Sequence, residues 1–311
     1  MIINTGCRTD IPAFYSKWLM NRIREEYVLV RNPYYPSQVT KYILSPKVVD
    51  CLAFCTKNPE PMLKYLNELD IYSQYWFVTI TPYGKDIEPV VPDKEKVMES
   101  FKKLSNHIGV DSIGWRYDPI FINNDFDVEK HIECFEKMAK ELKGYTHNCT
   151  ISFLDLYEKV KRNASDLRPP TKEEQICIAK AFARIGKEND IVIHSCCEKN
   201  FLSEYGLKCN GCMSQEIIEK SINCKLEPPK RKNLRQECNC LMGNDIGAYN
   251  TCGHLCKYCY ANANKSLVIE NMKKHNENSP FLIGNNETGD KITEAKQKSW
   301  LVSRNEQISF I

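Results

Sequence analysis

Ile2-Ile3-Asn4-Thr5-Gly6-Cys7-Arg8-Thr9-Asp10-Ile11-Pro12 is a β-branched apolar run that breaks into polar residues and then into the start of a helix. Branched side chains fit a pleated, half-buried surface. Pro12 suits a first helical turn, where its missing N–H costs no hydrogen bond, and Phe14, Trp18, Leu19 and Ile23 follow at helical spacing. A strand that feeds a helix in this way is one βα unit, and the pattern recurs down the chain. Further strands are expected at residues 27–31, 49–55, 75–81, 112–117, 149–154, 191–194 and 245–249, with 39–44 an extra strand or hairpin arm. Helices are expected at 94–107, 128–142 and 214–222, and Thr171 with Glu174 forms a capping box for a helix to Ile185. Eight strands with helices between most of them predict an α/β fold, a (β/α)8 TIM-type barrel whose active site lies where strands run into helices. An open six-stranded partial barrel with the cysteine region appended is the alternative.

Polar residues fall where the barrel reading wants them. Arg8, Asp10, Arg31, Lys57, Arg116, Asp118 and Asp155 all follow or end expected strands. Arg8, Asp10, Lys57, Arg116 and Asp118 are the candidate catalytic or substrate-gripping set, because opposite charges there adjoin the cysteine-bearing face. Lys57 is the candidate for substrate binding or proton transfer. The plainer reading of the same residues is a satisfied ion-pair network in the barrel mouth. Tyr83 and Trp115 are expected to pack.

The balance of charge says little about partners. Lys plus Arg number 43 against 40 Asp plus Glu, a net of +3 that is too balanced to argue for a nucleic-acid or anionic-membrane partner. No apolar run approaches the roughly 20 residues of a membrane span, and Met-Ile-Ile-Asn-Thr-Gly lacks a signal-peptide core, so a cytoplasmic location is expected. In a reducing compartment sixteen cysteines mean metal binding or catalysis rather than disulfides. Six precede residue 196 and ten lie between Cys196 and Cys259, which divides the chain into a main barrel part (1–195), a cysteine-rich iron–sulfur region that includes the last strand and closes the barrel mouth (196–264), and a C-terminal tail (265–311). The tail's one apolar patch, Pro280-Phe281-Leu282-Ile283, is expected to pack over the mouth. The basic stretch Lys230-Arg231-Lys232 reads as a solvated loop.

Cys252, Cys256 and Cys259 stand with three and then two residues between them. Thiolates so spaced can close around one face of an iron–sulfur cube, and three ligands for four irons leave one iron open to a substrate or cofactor. A structural zinc site is the bland alternative, but it normally uses four ligands in two pairs. His254, between the thiols, is a possible extra ligand. Elsewhere Cys209 and Cys212 form a Cys-x-x-Cys pair and Cys238 and Cys240 a Cys-x-Cys pair, so four thiols can close either a zinc site or a second cluster. Cys51, Cys55, Cys134, Cys149 and Cys177 read as small core residues.

Two resemblances add to this. Cys252, Cys256, Tyr258 and Cys259 resemble the cysteine motif of the radical S-adenosylmethionine (SAM) superfamily. Nearly the whole chain resembles the domain of unknown function 1848 family. The likeness is carried by Arg8-Thr9-Asp10-Ile11-Pro12, Val30-Arg31-Asn32-Pro33, Thr56-Lys57-Asn58-Pro59, Thr81-Pro82-Tyr83-Gly84, Trp115-Arg116-Tyr117-Asp118-Pro119, Ser152-Phe153-Leu154-Asp155, Cys238-Asn239-Cys240 and Asp245-Ile246-Gly247-Ala248-Tyr249. That resemblance implies a C-terminal cysteine cluster like that of radical SAM enzymes, and an auxiliary cluster on Cys197, Cys212, Cys238 and Cys240.

The radical SAM likeness implies two [4Fe–4S] clusters, SAM on the open iron, a 5′-deoxyadenosyl radical acting on a small polar substrate, and Tyr258 near the adenine. It also implies a low-potential electron donor such as flavodoxin or ferredoxin. The layout is permuted, because the cysteine loop follows the last strand instead of the first, and no glycine-rich motif follows the second strand. In a closed barrel the last strand neighbours the first, so the loop is expected beside Cys7 to Asp10. Other readings are an iron–sulfur barrel enzyme using the open iron as Lewis acid, a nucleic-acid-modifying protein similar to spore photoproduct lyases, and a zinc-stapled binding module.

Overall fold

β1 (Ile2–Asn4) is buried along its whole length in the computed structural model, which describes residues 1–198, 200–230, 238–241 and 243–302. It leads into a helix at Ile11–Phe14 whose first turn Asp10 caps, its carboxylate accepting from the Ala13 N–H at 3.0 Å. A second helix, Ser16–Arg24, buries Trp18, Leu19 and Ile23.

β2 (Tyr27–Arg31) departs from the barrel reading. It pairs antiparallel with β3 (Gln38–Ile43), which is the hairpin arm foreseen at 39–44. The cause is local: Asn32 Oδ1 accepts from the Tyr34 and Tyr35 N–H groups at 2.9 and 3.2 Å, turning the chain back before a crossover helix can begin. Arg31 therefore belongs to this hairpin, where its guanidinium lies 2.5 Å from Asp290 Oδ1 and 4.5 Å over the Phe281 ring, away from the other strand-end residues.

The main sheet is built from β1, β4 (Cys51–Thr56), β5 (Gln74–Thr79), β6 (Ile113–Ile120), β7 (Asn148–Phe153), β8 (Val192–Ser195) and β9 (Asn244–Asp245). Its seven strands are all parallel, in the order β8-β7-β6-β5-β4-β1-β9. Helices flank it: Val128–Leu142 and Lys172–Glu188 put Phe135 and Phe182 face to face at 3.6 Å, and Phe135 stacks on Trp115 of β6 at 4.7 Å. The last helix begins with the foreseen capping box of Thr171 and Glu174. Tyr83 and Trp115 pack as expected, fully buried.

Among the described residues β8 and β9 do not pair with each other, so the expected closed eight-stranded barrel is instead a seven-stranded sheet with two edges. One expected strand went to the hairpin, and β9 is too short to carry a full ladder. The sheet nevertheless curls. Flat, it would span roughly 29 Å at about 4.8 Å per strand gap. Yet Cys196, just after β8, has its sulfur 3.9 Å from that of Cys240, just before β9. Described residues between 196 and 241 enter the gap: His194 bridges Lys208 in parallel, and Asn239 Nδ2 donates to Cys209 O at 3.3 Å. The expected neighbourhood of last and first strands holds, since β9 pairs with β1 at Ile3↔Asn244 and Asn4↔Asp245.

Among its described residues the tail does not cover the mouth. Ser299 Oγ and the Trp300 N–H donate to Asp50 at 2.6 and 2.7 Å, immediately before β4 and thus at the opposite end of the sheet. β10 (Lys291–Glu294) pairs with β3, and the apolar patch is divided: Phe281 is buried against Leu29 and Val39 of the small sheet, while Leu282 and Ile283 pack into the main core. No helix among the described residues is long and apolar enough to cross a membrane. Arg231 and Lys232 of the basic stretch lie outside the described residues.

Candidate functional site

At the C-terminal ends of the curled strands lies a cavity of about 500 Å³. Seven thiols line it: Cys7 and Cys55 after β1 and in β4, Cys196 and Cys238 from the stretch between β8 and β9, and Cys252, Cys256 and Cys259 from the loop after β9. The loop thiols thus face the same space as members of the second group.

Two buried carboxylates hold the loop. Asp10 Oδ2 accepts from the Lys57 N–H at 2.7 Å and lies 2.9 Å from His254 Nε2, while its other oxygen caps the helix that follows β1. His254 is therefore committed to Asp10 through one nitrogen, and its ring packs edge-on to Phe14 at 4.7 Å. On the far side Glu88, its side chain 0% exposed, gathers four donors. Oε1 accepts from Lys57 Nζ at 2.7 Å, Thr81 Oγ1 at 2.8 Å and the Tyr258 hydroxyl, and Oε2 accepts from Lys94 Nζ. Burial pushes the Glu88 carboxyl up, but Lys57 and Lys94 outweigh it and hold it at about 2. The turn carrying Glu88 is also stitched to the loop backbone, with Val90 N–H to His254 O at 3.3 Å and Lys257 N–H to Ile87 O at 3.0 Å. Between these anchors Leu255 takes φ +58°, a left-handed conformation that non-glycine residues rarely adopt, immediately before Cys256.

The other foreseen charges are internally paired. Arg8 Nε lies 2.5 Å from Asp245 Oδ2, tying the end of β1 to β9. Arg116 donates to Asp118 through Nη2 and lies 3.5 Å from Cys55 Sγ through Nη1, and Ser152 Oγ donates to the other Asp118 oxygen. Arg116 Nε is buried with no hydrogen-bond partner among the described residues. Arg8, Asp10, Lys57, Arg116 and Asp118 all line the cavity, so the sequence-chosen set does come together. Tyr258 lines it too, with its hydroxyl held by Glu88.

The second thiol group is compact. Cys212 and Cys240 sulfurs are 3.3 Å apart, Cys196 and Cys240 3.9 Å, and Cys196 and Cys197 3.9 Å, while Cys238 interacts with Cys197 and Cys240. Cys197, Cys212, Cys238 and Cys240 are thus brought together, and Cys196 joins them. Hydrogen bonds from Cys197, Cys212 and Cys240 favour the Cys196 thiolate. Cys197 sits at φ +59°, and that backbone turn brings two adjacent thiols to one group. Gly211, at φ +85°, lies so close that a Cβ there would meet Cys240 Sγ at 2.9 Å. Cys209 bonds instead to Asn200 O at 3.9 Å. Of the presumed core cysteines Cys51 and Cys149 are buried, Cys134 is half-buried, Cys55 lines the cavity and Cys177 is exposed on the outer side of its helix.

Sequence reasoning gave no site role to Glu88, Lys94, Ser152 or Asp245, and it counted Cys196 with the second set of thiols but not among that set's four expected ligands. No motif separates Glu88 from neighbouring Asp86 in a polar stretch. Only the preceding cysteine beside Cys197 offered a signal.

A family model for a domain of unknown function (DUF1848) matches residues 2–261. The chain belongs to this family. A comparison with curated proteins finds no match. The DUF1848 match takes in every residue that lines the cavity, the last being Ala261, and leaves the tail outside it.

The DUF1848 cavity suits a thiophilic metal. All sixteen cysteines are free thiols, and soft sulfur donors select zinc, copper(I) and iron–sulfur centres. Cys196, Cys212 and Cys240, with sulfurs all within 4.8 Å of one another, can hold a metal ion. Tetrahedral zinc with about 2.3 Å Zn–S bonds needs sulfurs about 3.8 Å apart, which is close to what this group shows. Cys252, Cys256 and Cys259 form no such tight group among the described residues. Burial pushes the Cys256 thiol up to about 12.

Proposed function

We propose that this chain is an iron–sulfur enzyme of radical SAM-like type, with Cys252, Cys256 and Cys259 as the three protein ligands of a [4Fe–4S] cluster that keeps one iron open to the cavity. The observation that carries the reading is the convergence of these three thiols, and of Cys196 and Cys238 from the second group, on one cavity at the strand C-terminal ends. Bound there with SAM, such a cluster supplies the electron that releases a 5′-deoxyadenosyl radical.

The chain's own residues do the positioning. Asp10 and Glu88 hold the loop from two sides, and Lys57 joins them. Arg116, Asp118 and Ser152 form a polar floor for a small polar substrate between the two thiol groups. Phe153, Leu154, Ala261 and the cysteine side chains add apolar wall beside this floor, which helps to exclude water from a reactive species. Tyr258, locked through its hydroxyl, presents its ring to the cavity as the platform for an adenine. Flavodoxin or ferredoxin is the class of electron donor this chemistry needs.

The close sulfur spacing of Cys196, Cys212 and Cys240 favours a second reading for that group alone: a single tetrahedral ion in place of a second cluster. Anaerobic reduction of the metal-loaded protein with SAM tests the enzymatic reading. It predicts 5′-deoxyadenosine, lost when Cys256 is replaced by alanine; absence of the product with every reductant contradicts it.

A further inference from the structure

Two ammonium groups and one carboxylate are packed under the loop, and this unequal count asks for a second anion. Lys57 and Lys94 both pair with Glu88, whose side chain is wholly shielded, while the lysine side chains are only 14% and 18% exposed. Burying charge costs several kcal/mol per ion unless the partners balance. Of the other carboxylates nearby, Asp118 is balanced by Arg116, and Asp10 meets Lys57 at its backbone N–H and not at its ammonium, on the side of the loop held by His254. The thiol to which both lysines couple electrostatically is Cys256.

We infer that Glu88 and Lys94 are positioning and charge-setting residues for the metal centre on the thiol loop: with Lys57 they place one net positive charge beside Cys256, to be offset by metal-bound thiolate. This rests on the proposal that the loop holds an iron–sulfur cluster. Glu88 orients the loop through Tyr258, and Lys94 supplies the excess charge. A net positive neighbour stabilises the more negative, reduced state of the centre, so it raises the reduction potential.

The test is a potential titration followed by electron paramagnetic resonance on full-length, anaerobically reconstituted protein. Wild type is compared with Glu88→Gln and Lys94→Met, and Cys252→Ala/Cys256→Ala/Cys259→Ala identifies the loop's signal. Lys94→Met removes a positive charge and is expected to lower the midpoint potential; Glu88→Gln removes a negative one and is expected to raise it. A merely structural role moves both variants the same way or neither, and either result overturns the inference while leaving the cluster in place. Should Glu88→Gln fail to fold, the Lys94→Met shift decides by its sign. A signal that survives the triple cysteine variant overturns the reading of the loop as well.

Discussion

Lys57 Nζ and Glu88 Oε1 meet at 2.7 Å in the protein interior, while the backbone N–H of the same lysine lies 2.7 Å from Asp10 Oδ2. One residue at the end of β4 thus joins the two carboxylates that grip the cysteine loop. Lys57→Met leaves Glu88 paired with Lys94 but removes a charge-assisted hydrogen bond to Oε1. It is expected to destabilise the fold by about 1–3 kcal/mol in denaturant unfolding. A loss below about 1 kcal/mol would show that the pair is no more than a surface ion pair in its energetics.

Acid should unpick the same cluster. The Glu88 carboxyl is held at about 2 against an ordinary 4.5, by Lys57 and Lys94 acting against burial. A depressed carboxyl contributes stability that is fully present above its unfolded value and disappears as pH falls through the folded one. The contribution, on the order of 3 kcal/mol from 2.5 units at about 1.36 kcal/mol each, is therefore lost between about pH 4.5 and pH 2. Stability curves of wild type and Glu88→Gln should be furthest apart near neutrality and converge across that window. Parallel curves would contradict the assignment.

Asp10 accepts from the Ala13 N–H, the Lys57 N–H and His254. Asp10→Ala orphans three buried donors and should cost about 1–3 kcal/mol for each that finds no water. It should also loosen the loop, so that iron held by the loop thiols dissociates faster to a chelator. Asp10→Asn, which retains an acceptor oxygen, should lie between alanine and wild type. Equal chelation rates in all three would separate Asp10 from the loop.

Gly211 isolates the second thiol group. A Cβ there is strained by φ +85° and lies 2.9 Å from Cys240 Sγ. Gly211→Ala should cost on the order of 1–3 kcal/mol and reduce the metal bound by Cys196, Cys212 and Cys240, with iron on the loop retained. Elemental analysis of the purified variant checks this, and an unchanged metal content would contradict it.

Much of the sheet was legible because its signals are local. Branched apolar runs placed β7 within a residue, and the periodicity of residues 128–142 defined that helix at both ends. The destination of β2 was not, because a strand's composition does not name its partner. Asn32, which starts the turn, held the only local clue. The curl of the sheet was hidden because β9 is two residues long and the approach of Cys196 to Cys240 across the two edges is a property of the fold that no local pattern carries.

At the site, the Cys252–Cys259 spacing is a local pattern and could be read directly. Glu88 could not, since burial of a lone carboxylate is decided by Lys57 and Lys94 arriving from elsewhere in the fold. The part played by Cys196 depended on the backbone at Cys197, which no spacing rule encodes.

The central claim is that the loop thiols hold a cluster independent of the second group. Iron and acid-labile sulfide per chain, measured on anaerobically purified wild type and on Cys252→Ala/Cys256→Ala/Cys259→Ala, test it most directly. The account predicts that the triple variant loses about four irons and four sulfides per chain, with metal on the second group retained. Iron unchanged by the triple variant, or a wild-type protein carrying zinc alone, would contradict it.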